Sequence, residues 1–221
     1  MKTCVVIPTY NEGKTISVLI DKIREQGLDV IIVDDGSTDN TAKIAQDKGV
    51  ALIRNENNQG KGASLIKGFN YALDKGFDAV ICMDGDGQHL PEEIPSFIRF
   101  AEHSSNSVFV GNRMTNLKGM PLVRMLTNKF MSWLISLVAK QKIYDTQCGF
   151  RLIKSEVLKR VSLKAAKFEI ESELLIQASR LGFGIESVPI KTVYAGEKSQ
   201  INPFFDTLRF IQFIFKELKR K

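Results

Sequence analysis

Cysteine is scarce in this chain of 221 residues: Cys4, Cys82 and Cys148 are the whole set, with no CxxC spacing. An odd, scattered set offers no disulfide framework, and Cys4 and Cys82, inside apolar runs, read as small buried hydrophobes suited to a reducing compartment. The two histidines, His89 and His103, are too few and too isolated for a zinc centre or a Ser-His-Asp triad. No apolar run approaches the ~20 residues of a membrane-spanning helix. The opening MKTCVVIPTY holds an apolar stretch too short for a signal peptide and reads as a first strand. Neither a G-x-G-x-x-G nor a GKS/GKT ending occurs, and Gly60-Lys61-Gly62 has too few glycines for a Walker loop, which removes the commonest dinucleotide and NTPase readings. Charge of one sign does not dominate either. The formal net charge of +6 suits a phosphate-rich substrate, an anionic membrane surface or nucleic acid. Scattered basic residues without a recognition motif speak against the last of these.

What is present is an alternation of strand and helix signals over the first two thirds, the pattern of a mostly parallel sheet covered on both faces. Strands are expected at Cys4–Pro8, Val30–Asp34, Ala51–Arg54, Ala79–Met83 and Val108–Val110. Ile16, Leu19, Ile20 and Ile23 have helical spacing. A second helix follows GSTDNT, with Ser37 or Thr38 as its cap, and stops near Gly49. A third spans Gly62 to Lys75, and a fourth starts after Pro91. The stretch from Pro121 to Lys140 has apolar residues at near-helical spacing. Ile185–Val193 reads as a strand that Pro189 places at a sheet edge. A last helix is expected from Pro203, rich in phenylalanine and ending in Lys219, Arg220 and Lys221.

The polar residues gather at strand ends, where open α/β sheets bind ligands. Asp84-Gly85-Asp86-Gly87-Gln88 follows the apolar AVICM. Two carboxylates one residue apart at a buried edge are costly unless a cation compensates them, and hard oxygen ligands beside a diphosphate suit Mg²⁺ or Mn²⁺. A surface turn is the alternative, because Asp and Gly dominate turns. In Asp34-Asp35-Gly36-Ser37 one aspartate can accept hydrogen bonds from a base or ribose while the other braces the loop. Tyr10, in Pro8-Thr9-Tyr10-Asn11-Glu12, either packs on a base or covers its own loop. Gly111-Asn112-Arg113 ends the fifth strand.

PTYNE, VDDGSTDNT, NQGKGASLIKG, MDGDGQHLPEEI, VGNR and DTQCGFRLI, in that order, resemble the family-2 glycosyltransferases, and within them the dolichyl-phosphate mannose synthase and polyprenyl-phosphate glycosyltransferase branch. The resemblance runs from Val5 to about Arg209. It implies an α/β fold of the GT-A type, a Rossmann-like mixed sheet with helices on both faces, in one domain spanning 1–221. It implies that Asp84, Asp86 and Gln88 hold Mg²⁺ or Mn²⁺ and the donor diphosphate, and that Pro8, Tyr10, Glu12 and Asp35 bind the nucleoside. Arg113 and Arg124 match residues that bind the acceptor phosphate. The branch's late Arg before G-x-S-K is missing. Tyr194 to Ser199 stands there instead, and Lys198 is the substitute expected to take that contact. QxxRW is absent, which speaks against a long-polymer synthase.

The expected activity is inverting transfer of a sugar from GDP-mannose or a UDP-hexose to a polyprenyl phosphate, at the cytoplasmic face of a membrane. Residues 117–142 and 203–221 are the candidate interfacial helices, with core packing of the same stripes as the alternative. A hydroxyl acceptor would instead need a carboxylate base. Glu169, Glu171 and Glu173 are the candidates, though their spacing favours ordinary helix-surface charges. A soluble enzyme acting on a saccharide or protein hydroxyl, or a silent nucleotide-sugar-binding protein, are the competing expectations.

Overall fold

A computed structural model describes residues 1–115, 117, 120–191, 210, 212–214 and 217. Seven strands form one sheet: β1 (Thr3–Thr9), β2 (Asp29–Asp34), β3 (Ala51–Arg54), β4 (Ala79–Cys82), β5 (Val108–Asn112), β6 (Arg151–Lys154) and β7 (Ile185–Pro189). Their spatial order is β3-β2-β1-β4-β6-β5-β7. All neighbours pair in parallel except β6, which runs antiparallel to both β4 and β5. The carboxyl ends of the other six strands and the amino end of β6 therefore share one sheet edge.

The helices are α1 (Ile16–Arg24), α2 (Thr41–Asp47), α3 (Lys61–Asp74), α4 (Ile94–His103), α5 (Leu122–Ala139), α6 (Ser155–Leu158) and α7 (Ile170–Arg180). Strand interiors made of Val, Ile and Cys are buried on both faces, as parallel strands under crossover helices must be. α1 turns Ile16, Leu19, Ile20 and Ile23 inward. α3 lies close enough to the sheet that a Cβ on Gly68 would stand 2.4 Å from Val6 Cγ1, so only glycine admits this packing.

Three expectations need correction. Ser37 does not cap α2. Asn40 holds the cap position without a side-chain bond, and the Asp39 carboxylate accepts from the Thr41 N–H at 2.9 Å. The strand β6 lies inside DTQCGFRLIK, where two apolar residues between Arg151 and Lys154 leave almost no pattern to read. The strand expected over Ile185–Val193 covers Ile185–Pro189, with Val193 outside the described residues; as expected of a strand containing Pro189, it is an edge.

α5 packs one face on the body through Asn128, Ser132, Ile135 and Ala139. Its other side exposes Leu122, Val123, Leu126, Phe130, Trp133 and Leu137, each more than half accessible. Among the described residues nothing covers this outer stripe. The final segment differs. Of its described residues Phe210, Ile214 and Glu217 are buried, and Arg180 Nη1 meets Glu217 Oε2 at 2.5 Å. The rest of 203–221 lies largely outside the described residues, as does Lys198.

Candidate active site

The loops after β1, β2 and β4 are tied to one another at the common sheet edge. Thr9 O accepts from the Asp35 N–H at 2.8 Å, Ser37 Oγ from the Asn11 N–H at 2.8 Å, and Thr41 Oγ1 from the Glu12 N–H at 2.8 Å. Thr15 Oγ1 donates to Gly85 O at 2.5 Å, and a Cβ on Gly85 would lie 3.2 Å from Glu12 Cγ. Glu12 and the Asp84–Gln88 turn thus face each other, with Pro8, Tyr10 and Gln88 half-buried around them.

The two aspartates after β2 are both buried. Asp34 accepts from the Ser37 N–H at 3.2 Å, while Arg54 Nε lies 3.1 Å from its other oxygen, too poorly aligned for a hydrogen bond. Asp35 accepts from Asn55 Nδ2 at 2.7 Å, Gln59 N–H at 2.9 Å and Gly60 N–H at 2.8 Å. Asp35 is therefore the residue that braces the 55–60 loop, and little of its carboxylate capacity is left for another donor.

At the end of β4, Asp84 is 28% exposed and meets Lys61 Nζ at 2.5 Å through Oδ1. Burial disfavours its charge, but the Lys61 ammonium, then His89 and Arg113, hold its carboxyl below the usual carboxylate range. Burial likewise opposes the charge on Lys61, and Asp84 and Glu171 outweigh it, so the Lys61 pKa is raised. His89 is buried, stacks on Phe150 with centroids 5.2 Å apart, and accepts the Asp84 N–H through Nδ1 at 3.2 Å. Its burial lowers its pKa against the pull of Asp84, then Asp86. Asp86 Oδ1 accepts the Gln88 N–H at 2.9 Å.

Arg113, after β5, is fastened to Asp145 by Nε at 2.7 Å and Nη2 at 2.9 Å, with side-chain exposures of 5% and 0%. A phosphate would have to share this guanidinium with a buried carboxylate. Arg124 is exposed on the first turn of α5.

Two groups of this site, Lys61 and Asp145, had no role among the sequence expectations, and two candidate bases, Glu171 and Glu173, were read as surface charges. Lys61 stood in a failed Walker pattern and inside NQGKGASLIKG without a role of its own, yet it bridges Asp84 and Glu171, the latter at 2.6 Å. Glu171 is no surface charge: its side chain is 13% exposed, and Arg151 donates to its backbone carbonyl. Glu173 is buried and accepts from the Lys164 and Ala165 N–H groups at 2.9 and 2.8 Å, which corrects its surface reading as well. Asp145 carried no signal beyond its place in DTQCGFRLI. An open cavity of about 340 Å³ lined by Lys2, Arg24, Tyr71, Lys75 and Phe77 lies at the opposite, amino-terminal ends of β1 to β3 and takes no part in the site.

Comparison with known proteins identifies the family and the fold. The model of "Glycosyl transferase family 2" matches residues 4–162. The UDP-N-acetylglucosamine–dolichyl-phosphate N-acetylglucosaminyltransferase of Methanococcus voltae is 34% identical over 212 residues, covering 86% of this chain and 84% of the relative. The undecaprenyl-phosphate mannosyltransferase of Micrococcus luteus is 28% identical, with 87% and 84% covered. Among solved structures, glucosyl-3-phosphoglycerate synthase from Mycobacterium tuberculosis, in complex with Mn²⁺, UDP-glucose and phosphoglyceric acid, superposes with a TM-score of 0.77 at 20% identity, over 98% of this chain and 79% of that one. The α/β sheet with its antiparallel β6 is the GT-A fold, and the chain belongs to glycosyl transferase family 2.

Proposed function

We propose that the protein is an inverting glycosyltransferase that moves a sugar from a nucleotide-diphosphate sugar, GDP-mannose or a UDP-hexose, to a polyprenyl phosphate at a membrane surface, with Mg²⁺ or Mn²⁺ at Asp84, Asp86 and Gln88. The observation that carries the acceptor half is the exposed apolar stripe of α5, on a chain whose relatives named above act on dolichyl and undecaprenyl phosphates.

The acidic motif fits a hard divalent ion. Asp84 Oδ2 and Asp86 Oδ2 are oxygens beyond those bonded to Lys61 and to the Gln88 N–H. Among the described residues no three His, Cys, Asp or Glu side chains converge to hold an ion by themselves. Donor phosphate and water would complete such a shell, as is usual for Mg²⁺. The ion supplies charge neutralisation for the departing nucleoside diphosphate.

The chain's own residues do the rest. Pro8, Tyr10 and Glu12 border the edge where the nucleoside would lie, and Asp35 keeps the 55–60 loop in place beneath it. A lipid phosphate arrives already anionic, so no general base is needed, and Arg113, Arg124 and Lys198 are proposed to position it. A hydroxyl acceptor would instead depend on a carboxylate, and Glu171 reaches the Asp84 motif through Lys61, whereas Glu173 turns to the 164–165 loop.

Radiolabelled GDP- and UDP-sugars incubated with polyprenyl phosphate and Mn²⁺ are expected to yield a labelled lipid that EDTA abolishes. Donor hydrolysis without a lipid product would move the assignment to a hydroxyl acceptor, and neither binding nor turnover would leave a silent scaffold.

Membrane contact has its own reporter. Trp133 is the single tryptophan and is 58% exposed on the α5 stripe. Its emission should shift to the blue when anionic vesicles are added. Replacing Leu126 and Phe130 by Ser removes two apolar anchors worth about 1.5–3 kcal/mol each when fully buried, so vesicle affinity should fall at least roughly tenfold. An unmoved emission spectrum would remove α5 as the membrane face. Among the described residues no helix is long and apolar enough to cross a membrane, so the contact proposed is peripheral.

A further inference from the structure

Lys61 is the first residue of α3, and its ammonium stands between two carboxylates of different elements, 2.5 Å from Asp84 Oδ1 and 2.6 Å from Glu171 Oε1. It is held there from both sides. Gly62 lies so close to the 165–167 segment that a Cβ would stand 2.2 Å from Ala165 O, and Ala63 N–H donates to Ala166 O at 3.1 Å. On the other side, a Cβ on Gly149 would come within 2.7 Å of Asp84 Oδ2 and 3.0 Å of Lys61 Nζ. The Lys61 side chain is 17% exposed, so its charge is only partly screened by water. Gly60-Lys61-Gly62 is thus a backbone clasp that delivers one cation to the acidic motif, which explains the glycines that no phosphate loop accounted for.

Asp84, Asp86 and Glu171 bring three negative charges to this corner, and like charges at close range repel strongly where water is partly excluded. We propose that Lys61 is a positioning residue that serves as a built-in counter-cation: it holds Asp84 and Glu171 together, and a divalent ion must compete with it for Asp84. The reading rests on Asp84 being a metal ligand. Two consequences follow from the competition. Metal affinity is set lower than a bare pair of aspartates would give, which favours an ion that arrives with the donor diphosphate. Release of Lys61 from Asp84 also leaves its ammonium on Glu171, so metal entry strengthens the bond between α3 and α7.

Mn²⁺ binding to the full chain without donor, measured from the electron paramagnetic resonance signal of the free ion, tests this. Lys61→Met and Lys61→Gln are expected to bind Mn²⁺ about tenfold tighter than the parent, the size of one charge-assisted hydrogen bond. Lys67→Met removes one charge from the same helix, where Lys67 Nζ serves Asn55 Oδ1 rather than the acidic corner, and should shift affinity less than about twofold. A merely structural Lys61 predicts weaker binding in both Lys61 variants. Unchanged or weaker binding in variants whose melting curves show a folded protein, or a shift no larger than that of Lys67→Met, overturns the counter-cation. Asp84→Asn separates the two failures. Lost binding there, with unaltered Lys61 variants, overturns the role of Lys61 alone; retained binding overturns the metal assignment beneath it.

Discussion

Asp86→Ala is expected to lower sugar transfer by about a thousandfold or more while leaving the melting temperature within about 2–4 °C of the parent. The two halves of this expectation have separate causes. Asp86 is half-buried on a turn, and the contact recorded for its Oδ1 is the Gln88 N–H two residues on, so truncation disturbs a local loop and costs about 1 kcal/mol or less. The departing nucleoside diphosphate, by contrast, carries its charge into a site whose compensation would come through this carboxylate, an effect worth several kcal/mol, with about 1.36 kcal/mol per tenfold in rate. Steady-state transfer assays beside thermal melts read both. Near-normal turnover in Asp86→Ala would remove the metal assignment.

Arg113→Ala should behave the opposite way, as a stability variant first. Its guanidinium is fastened in two-pronged fashion to Asp145, and both side chains are almost wholly buried. Removing the arginine strands a carboxylate in the interior, which costs about 3–5 kcal/mol, and at about 2–4 °C per kcal/mol for a chain of this size the melting point should drop by roughly 6–20 °C. Arg113→Met combined with Asp145→Leu removes both charges and should recover most of that loss. The recovered double variant then isolates the acceptor question. If it turns over lipid phosphate with an unchanged KM, Arg113 is an anchor for the loop after β5 and nothing more; a raised acceptor KM with an unchanged donor KM assigns it a phosphate contact too.

The strand ends were legible from residues alone because apolar runs such as VVIP, VIIV and AVICM give way to polar residues at Thr9, Asp34 and Asp84, and parallel strands carry their ligand groups at those stops. Helical spacing likewise located α5 over Leu122–Ala139. Its orientation was not legible. An apolar stripe has the same period whether it faces a core or a bilayer, and it takes the long-range contacts, such as those of Ser132 with Thr146 and Ser136 with Ile143, to show which side is fastened. The pairs that organise the site were hidden for a different reason. Lys61 and Glu171 are 110 residues apart, Arg113 and Asp145 are 32 apart, and neither pairing leaves a local pattern in the chain. The surface reading of Glu171 and Glu173 failed because helix spacing says which residues share a face, not which neighbours that face meets.

The seam beneath α5 has a consequence for how such an enzyme can change. Ser132 bonds Thr146, Ser136 Oγ receives the Ile143 N–H at 3.0 Å, and the helix packs on α7 while standing outside the strand order of the sheet. Direction-specific hydrogen bonds pin this helix at a few points and leave its outer residues without any duty to the interior. Those outer positions are therefore open to drift. Substitutions on the outer face can change what it docks against, residue by residue, while the sheet edge built by β1, β2 and β4 stays under its own separate constraint. That separation lets one surface be altered without disturbing the other.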